Sequence, residues 1–232
     1  MSTSKPTQTI GLLLSGGLDS SILAAHLLDS GVSVQPFYVL TGVTWEGCEL
    51  AAVEGILSVL RSERLRPLIT LSLPLADLYE DHWSTTGQHV PSATSTDEAV
   101  YLPGRNLLLA LKPALWCKMH GIQDLALAAL KTNPFADTSP EFFQQLEGVL
   151  NSGMEVPIRL VRPFALKDKA EVMRLGARYP LNLTFSCISP VDGLHCGVCN
   201  KCAERQAAFR DGSIEDSTIY YDRGATTLLP PR

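Results

Sequence analysis

The sequence IGLLLSGGLDSSILAAHLLDSG, residues Ile10 to Gly31, decides the fold of this chain. It begins with a continuous apolar run, Ile10–Leu14, which is typical of a strand buried on both faces of a parallel sheet. Helical spacing of apolar residues starts at Ser20, so the intervening SGGLDS predicts a turn from a strand into a helix. Gly16 and Gly17 permit a positive φ, and the N-terminus of the helix presents unpaired N–H groups to an anion. We therefore expect this turn to bind phosphate.

The turn matches neither of the two common phosphate-binding patterns. It lacks the GxxxxGK[ST] of a Walker loop and the GxGxxG of a dinucleotide fold, although three serines supply hydroxyl groups. SGGLDS instead resembles the pyrophosphate loop of the ATP pyrophosphatases, which cleave ATP to AMP and pyrophosphate while adenylating an acceptor oxygen. The resemblance implies that Asp19 binds a magnesium ion on the phosphates. The ATP-binding residues that it implies are Leu14, Ser15, Gly16, Gly17, Leu18, Asp19, Ser20 and Ser21. The alternative is a glycine turn that merely joins a strand to a helix.

Length and composition indicate a small-molecule enzyme rather than a nucleic-acid coat or a membrane protein. The 232 residues are 45% hydrophobic and 19% charged, enough for one α/β domain with a core, or for a domain with a small appendage. The formal net charge of −5 argues against a nucleic-acid partner. The polar start and the absence of a run of about 18 apolar residues predict a cytoplasmic protein without a membrane span.

Apolar runs alternate with helical patterns along the chain. This alternation predicts an α/β fold, a doubly wound parallel five-stranded sheet, with a cysteine-rich element near the C-terminus. The predicted strands are Ile10–Leu14, Val34–Leu40, Pro67–Leu73, Leu125–Leu130 and Ile158–Val161. The predicted helices are Ser20–Leu28, Glu46–Leu60, Leu107–Met119, Pro140–Leu150 and Lys167–Leu175. Ser84–Glu98 is a polar segment, predicted to be a loop, of a length that often belongs to a functional site.

Four of the six cysteines are crowded into CISPVDGLHCGVCNKC. In a cytosolic chain, Cys187, Cys196, Cys199 and Cys202 indicate a metal site rather than disulfides. Four thiolates suit one tetrahedral zinc ion and leave no open position, so the predicted zinc site is structural. An iron–sulfur cluster is the alternative, since its ligands look alike in sequence. We expect His195 to lie beside the ion without binding it.

Several motifs occur in one order over about 190 residues. After SGGLDS come LPGRN at Leu102–Asn106, PFALKDKAEV at Pro163–Val172, and FSC followed by CGVCNKC. Together they resemble the QueC family, the 7-cyano-7-deazaguanine synthases. The resemblance implies a parallel α/β enzyme, often a homodimer, with structural zinc. It also implies that ATP, magnesium and ammonia convert 7-carboxy-7-deazaguanine into the nitrile, through an adenylated carboxylate and an amide that is activated a second time.

Adenylation requires cations that neutralise the charge developing on the phosphate and the carboxylate. Arg105, at a predicted helix start, and Lys169, in the charged run Lys167-Asp168-Lys169, are the candidates, and with Asp19 they form the predicted catalytic set. The alternative for Arg105 is an arginine on the surface near a helix N-terminus. The alternative for Lys169 is a position in the solvent-exposed first turn of a helix, without a role in the site.

The acceptor segment of the family, approximately DYSGYPDCRPEF, aligns with KTNPFADTSPEF at Lys131–Phe142. Phe135 falls on the tyrosine and Asp137 on the aspartate, whereas Lys131 replaces an acid and Ser139 an arginine. An aromatic face can stack on a guanine-like ring, and a carboxylate can accept hydrogen bonds from two of its N–H groups. The segment TGVTWEGCEL after the second strand also departs from the family's YGQRHRAEL.

We interpret the chain as an ATP-dependent synthase or ligase that adenylates 7-carboxy-7-deazaguanine and converts it with ammonia. Three alternatives stay open: a QueC-like enzyme that joins a deazapurine to another amine such as a protein, an RNA sulfur transferase with the same loop, and a non-catalytic nucleotide-binding module. We expect an ATP pyrophosphatase domain at 1–184, a zinc-binding element at 185–210 packed on it, and a loosely packed tail at 211–232.

Overall fold

The computed structural model describes residues 8–153 and 157–221 of the chain. Five parallel strands form one sheet with the order β3-β2-β1-β4-β5, which confirms the predicted fold class. The strands are β1 Thr9–Leu13, β2 Ser33–Leu40, β3 Ile69–Ser72, β4 Asp124–Ala126 and β5 Arg159–Val161.

Helices connect the strands and extend the C-terminal part of the described chain. They are α1 Leu18–Asp29, α2 Glu46–Val59, α3 Ala76–Tyr79, α4 Trp83–Thr86, α5 Arg105–Met119, α6 Pro140–Ser152, α7 Lys169–Gly176 and α8 Asn200–Asp211. All five predicted helices are present, with ends shifted by at most two residues. The short α3 and α4, and α8, were not predicted; α8 has few apolar residues and therefore lacks the apolar stripe that marks a helix in sequence.

Both faces of the sheet are covered, as a doubly wound fold requires. On one face, Leu12 of β1 packs with Ile22 of α1 and Met173 of α7. On the other face, Phe37 of β2 packs with Ala110 of α5 and with side chains of α6. The inner strand β2 contacts helices on both sides and is buried without alternation, whereas the edge strand β3 alternates between half-buried and exposed residues.

The order of the strands reverses between β1 and β4, the two central neighbours. The connections that follow these strands run to opposite faces of the sheet, so a crevice opens at their carboxyl ends. The predicted strand Leu125–Leu130 was too long at this point. The strand ends at Ala126, and the chain then leaves the sheet and borders the crevice.

The four cysteines pack into the rest of the molecule rather than standing apart from it. They share a core with Trp45 and with Phe185. The segment Ser84–Glu98 packs against this cysteine-rich part, where the Ala93 N–H donates to the Val198 carbonyl at 2.8 Å. The prediction of a loop holds for 87–96, whereas the two ends of the segment belong to α4 and to a 3-10 helix.

The C-terminal stretch is held in place as far as the structure describes it. The Tyr221 N–H donates to the His195 carbonyl at 2.8 Å, and Thr218 is buried beneath the cysteine-rich part. The described part of the predicted tail is thus attached at these two positions, although the residues Ile219 and Tyr221 are exposed. The remainder of the predicted tail, 222–232, lies outside the described residues. Within the described ranges, no helix is long and apolar enough to cross a bilayer.

The close contact between α1 and α7 depends on Gly176. A Cβ atom at Gly176 would lie 2.5 Å from Cδ1 and 2.6 Å from Cγ1 of the fully buried Ile22. We expect Gly176→Ala to lower the free energy of unfolding by about 1–3 kcal/mol, because the two helices must separate. Denaturant unfolding measures this change.

Gly148→Ala on the exposed side of α6 is the matched control, since a Cβ atom there meets no atom within 4 Å. It is expected to raise stability by about 0.4–1 kcal/mol through the entropy of the unfolded chain. Equal effects of the two substitutions would contradict the close packing of α7 on α1.

Candidate functional site

A cavity of about 300 Å³ occupies the crevice at the carboxyl ends of β1, β2 and β4. Its walls come from the turn after β1, the end of β2, the residues after β4, and the first turns of α5, α7 and α8. The predicted site residues that line it are Leu14, Ser15, Gly17, Leu18, Asp19, Ser20, Arg105 and Lys169. This position is where ligands bind in open parallel sheets.

The turn between β1 and α1 leaves the N-terminus of the helix open. Gly17 precedes α1 in extended conformation, and no side chain caps the helix. Ser15 and Ser20 bond to each other, with 3.0 Å between their hydroxyl oxygens, and Ser20 also accepts from the Ser15 N–H at 3.2 Å. The first N–H groups of α1 therefore stay available to an anion, beside two hydroxyls.

The two glycines of the turn have different roles. Gly16 has a φ of +75°, and a Cβ atom there would lie 2.7 Å from the Glu49 carbonyl oxygen. Gly17 has a φ of −73°, so of the two glycines only Gly16 uses the positive φ that both permit. Gly16 does not line the cavity but shapes the turn, and the buried Ser21 lies behind the cavity wall.

Asp19 and Lys169 form an ion pair at the rim of the cavity. The Lys169 Nζ donates to both Asp19 oxygens, at 2.9 and 2.8 Å, and lies 3.7 Å from Glu204. Burial by itself would lower the pKa of Lys169, but the two carboxylates outweigh it and raise the pKa. The lysine therefore stays charged. The packing of α7 on α1 brings the pair together across 150 positions of sequence.

Arg105 is the second predicted cation in the cavity. It begins α5, directly after Gly104 with a φ of +72°. In the part of the chain that the structure describes, no carboxylate forms an ion pair with it. Burial raises the pKa of Glu49 and of Tyr38, and the positive charge of Arg105 partly offsets this rise. Its guanidinium is thus free to bind an oxygen of a ligand.

The two predicted acceptor residues lie beside the cavity rather than on its wall. The Phe135 ring packs 5.1 Å from that of Tyr101. Asp137 is 7% exposed, and its Oδ2 accepts from the Asn106 N–H at 3.3 Å, at the start of α5. Among the described residues, its Oδ1 has no hydrogen-bond partner. From the same segment, Thr138 lines the cavity itself.

The four cysteine sulfurs converge as the spacing predicts. Their Sγ atoms all lie within 4.8 Å of one another, with 3.8 Å between Cys187 and Cys199 and 3.9 Å between Cys196 and Cys202. Four thiolates on a tetrahedral zinc would lie about 3.8 Å apart, given a metal–sulfur distance of about 2.3 Å. All four side chains are buried. The cluster can therefore hold a metal ion in a closed site.

Backbone N–H groups point at the cluster, as thiolate ligands require. They donate to the sulfurs at 3.3–3.4 Å, from Ser189, Cys196, Gly197, Val198 and Cys199. His195 is not one of the converging side chains. Burial lowers its pKa to about 4, and its Nε2 accepts from the Ser186 N–H at 3.1 Å. It thus lies beside the cluster as a neutral ring.

Helix α8 connects the cysteine cluster to the cavity. Cys202 in its first turn belongs to the cluster, whereas Lys201, Glu204 and Arg205 line the cavity. Arg205 is 1% exposed and donates to four oxygens. Its acceptors are the Leu181 carbonyl, Thr184 Oγ1, Ser186 Oγ and Thr218 Oγ1. The position of α8 therefore sets the far wall of the cavity.

Comparison with known families identifies the chain. The family described as "Queuosine biosynthesis protein QueC" matches residues 9–213, which include every element described above. The chain belongs to the QueC family. The resemblance noted from the order of the motifs is thereby confirmed.

Curated relatives of this QueC chain carry one name, 7-cyano-7-deazaguanine synthase. The protein of Methanothrix thermoacetophila is 27% identical, over 90% of this chain and 96% of its own length. That of Stutzerimonas stutzeri is 28% identical, over 90% and 97%. That of Novosphingobium aromaticivorans is 30% identical, over 90% and 93%. The similarity thus extends over nearly the full length of these relatives.

Several residues that line the cavity of this QueC chain were not predicted from the sequence. The charged and aromatic ones are Tyr38, Trp45, Glu49, Phe143, Phe185, Lys201, Glu204 and Arg205. Glu49 had a usable signal, because it follows the second of the parallel strands, whose carboxyl ends border the site. The residues of α8 had none, since Lys201 lies within the cysteine motif, Glu204 and Arg205 follow it closely, and all three are far from the phosphate loop in sequence.

The difference between the two glycines of the QueC phosphate loop is testable by alanine substitution. We expect Gly16→Ala to lower the free energy of unfolding by about 2–4 kcal/mol, because it combines a positive φ with a collision against backbone. Gly17→Ala is the matched control: its nearest atom would be the Ser15 hydroxyl oxygen at 3.5 Å, and its φ is ordinary. Denaturant unfolding that finds equal losses for both variants would contradict the observed turn.

Proposed function

We propose that this protein is an ATP-dependent 7-cyano-7-deazaguanine synthase. One observation carries the proposal: the open N-terminus of α1, the free Arg105 and the charged Lys169 border a single cavity at the strand ends. The QueC family match and the relatives named for this reaction support it. The cationic groups suit a substrate with a triphosphate, and the cavity volume suits a small acceptor.

Adenylation of a carboxylate follows from these groups. The amides of the turn and the hydroxyls of Ser15 and Ser20 would bind the phosphates that leave as pyrophosphate. Arg105 would bind the acceptor carboxylate or the α-phosphate and hold the two in line. Lys169 would neutralise the charge that develops on the departing phosphate. An adenylated carboxylate is an electrophile that ammonia can attack, giving the amide.

Asp19 would hold the magnesium ion that the family resemblance implies. A single carboxylate combined with phosphate oxygens is a common way to bind this ion, whose charge shields the phosphates. Both Asp19 oxygens are bonded to Lys169, so one of them would turn from the lysine to the ion. Lys169 would keep its charge, because Glu204 also lies near it.

Phe135 and Asp137 remain the proposed contacts to the deazapurine ring. The buried Asp137 Oδ1 is free among the described residues, while Oδ2 is engaged at the start of α5. Asp137 would therefore accept one ring N–H bond with its free oxygen, and a second only if Asn106 releases it. A homodimer is a further proposal that rests on the family resemblance alone, and a cytoplasmic location is one that rests on the amino-acid sequence.

The experiment that tests this function combines the purified protein with 7-carboxy-7-deazaguanine, ATP, magnesium and ammonium. We expect AMP and pyrophosphate to form, and mass spectrometry to detect the amide and then the nitrile. Asp19→Asn should abolish formation of AMP, because it removes the magnesium ligand and the partner of Lys169. Asp29→Asn at the other end of α1, in an exposed ion pair, is the control that should stay active.

Other products would favour other functions. A deazapurine joined to an amine on a protein would favour the conjugating enzyme, and sulfur incorporation into RNA would favour the sulfur transferase. ATP binding without any AMP formation, with each candidate carboxylate, would favour a non-catalytic module. Any of these results would contradict the proposed synthase.

We further propose that the metal in the cysteine cluster is zinc and that its role is structural. The buried four-sulfur set leaves no open ligand position, which suits zinc as a fold-stabilising ion. Because α8 carries both Cys202 and the cavity residues Lys201 and Glu204, loss of the ion would disturb the cavity through the fold. An iron–sulfur cluster is the alternative outcome.

Metal analysis should find one zinc per chain. Cys199→Ser should lower both the zinc content and the thermal stability, so that any loss of activity accompanies a loss of folded protein. Cys117→Ser is the control, because Cys117 is a buried cysteine of α5 outside the cluster. It should keep its zinc even if packing is impaired. Stoichiometric iron, or a stable Cys199→Ser protein that lacks only activity, would contradict a structural zinc site.

A further inference from the structure

Three carboxylates line the cavity, and one of them has no cationic partner. Asp19 and Glu204 are ion-paired with Lys169, and Glu204 also with Lys201 at 2.6 Å. Glu49 forms no ion pair with any described residue. The proposed phosphate chemistry leaves Glu49 without a role, so this carboxylate needs a separate explanation.

Neutral groups hold the Glu49 side chain in place. The Tyr38 hydroxyl donates to its Oε2 at 3.0 Å, and the nearby Trp45 side chain favours the charged form of the carboxylate and so lowers its pKa. Tyr38 and Trp45 are 4% and 1% exposed, so their orientations are fixed by packing. A partly buried carboxylate, oriented by neutral donors at a cavity wall, can accept a proton from a bound ligand.

The electrostatic surroundings favour the same role. Burial raises the pKa of Glu49 above its ordinary value, the Arg105 guanidinium opposes this effect, and Glu46 on the same helix adds to it. The other titratable groups that face Glu49 are Tyr38 of β2 and Cys48 of α2. A carboxylate with a raised pKa is a stronger base than an exposed one.

The proposed reaction requires such a base. When ammonia attacks the acyl adenylate, the nitrogen lone pair forms the new C–N bond and the nitrogen gains a positive charge. The C–O bond to AMP then breaks, with its electron pair on the phosphate oxygen. The nitrogen must lose a proton for the amide to form, and no paired carboxylate of the cavity is free to take it.

We propose that Glu49 is the general base that accepts this proton. The proposal rests on the proposed synthase function and adds to it a residue that acts only after adenylation. Arg105 would hold the carboxylate end of the acceptor, and Glu49, within electrostatic reach of Arg105, would face the attacking nitrogen. Adenylation itself, which releases pyrophosphate, would not require Glu49.

The decisive variant is Glu49→Gln, which keeps the shape of the side chain and can still accept from Tyr38. We expect pyrophosphate exchange dependent on 7-carboxy-7-deazaguanine to stay within about threefold of wild type. Amide formation from ammonium should fall at least about a hundredfold, as expected for loss of a general base. Glu54→Gln, on the exposed side of the same helix, should change neither rate.

Rescue by a different nucleophile separates a base from a merely structural residue. Hydroxylamine is a weaker base than ammonia, so its adduct loses the proton to water without help. Hydroxamate formation by Glu49→Gln should therefore approach the wild-type rate. The melting temperature of Glu49→Gln should equal or exceed that of wild type, because a group whose pKa is raised by folding destabilises the fold once it is ionised.

A pH profile of the wild-type enzyme gives a test that does not depend on any variant folding. At constant free ammonia, the ratio of amide formation to pyrophosphate exchange should fall as the pH drops through the raised pKa of Glu49. A ratio that stays constant over the whole pH range in which the enzyme remains folded would overturn the proposal.

These measurements distinguish a failure of the proposed role of Glu49 from a failure of the proposed synthase function. Normal amide formation by Glu49→Gln, loss of its pyrophosphate exchange, or failure of hydroxylamine to rescue it would each overturn the role of Glu49 alone. Absence of carboxylate-dependent exchange in the wild-type enzyme would overturn the synthase function, and the role of Glu49 with it.

Discussion

Gly16 connects three parts of the molecule that surround the cavity: the phosphate loop, the segment before the cysteine cluster, and α2. Its carbonyl accepts from the Phe185 N–H at 2.8 Å, which joins the phosphate loop to the segment before the first cysteine of the cluster. Its Cα lies so close to the Glu49 carbonyl that a Cβ atom would be 2.7 Å away, which joins the loop to α2. Only a residue without a side chain permits this approach at a φ of +75°. The position of Glu49 and that of the cysteine-rich part thus both depend on this turn.

The charge of the cavity differs from that of the protein as a whole. The chain carries a formal net charge of −5, yet four cationic side chains and three carboxylates line the cavity. Two of the carboxylates are held by lysines, and Arg105 remains unpaired among the described residues. A triphosphate would therefore meet an excess of positive charge inside an acidic protein. Such a local field attracts an anionic substrate while the outer surface stays acidic.

The cysteine cluster and the cavity are two ends of one structural unit. Helix α8 begins at the cluster, and its side chains Lys201, Glu204 and Arg205 reach the cavity. Arg205 binds segments on both sides of the cluster through four oxygen acceptors, so it holds the helix against the phosphate-loop side of the molecule. A metal ion held by the cluster would thus help to fix the position of a helix that borders the cavity.

The sequence by itself determined the parallel sheet, the phosphate loop and the four-cysteine cluster. Each depends on neighbours in the chain: continuous apolar strands, a Gly-Gly turn before a helix, and short cysteine spacings. The sequence also identified Arg105 and Lys169 as cations of the site, although it did not predict that Lys169 binds both oxygens of Asp19. That pair, the different roles of Gly16 and Gly17, and the unpaired Glu49 beside Tyr38 were decided only by the tertiary structure. They arise where helices from distant parts of the chain pack at the strand ends, and no local pattern records which side chains will meet there.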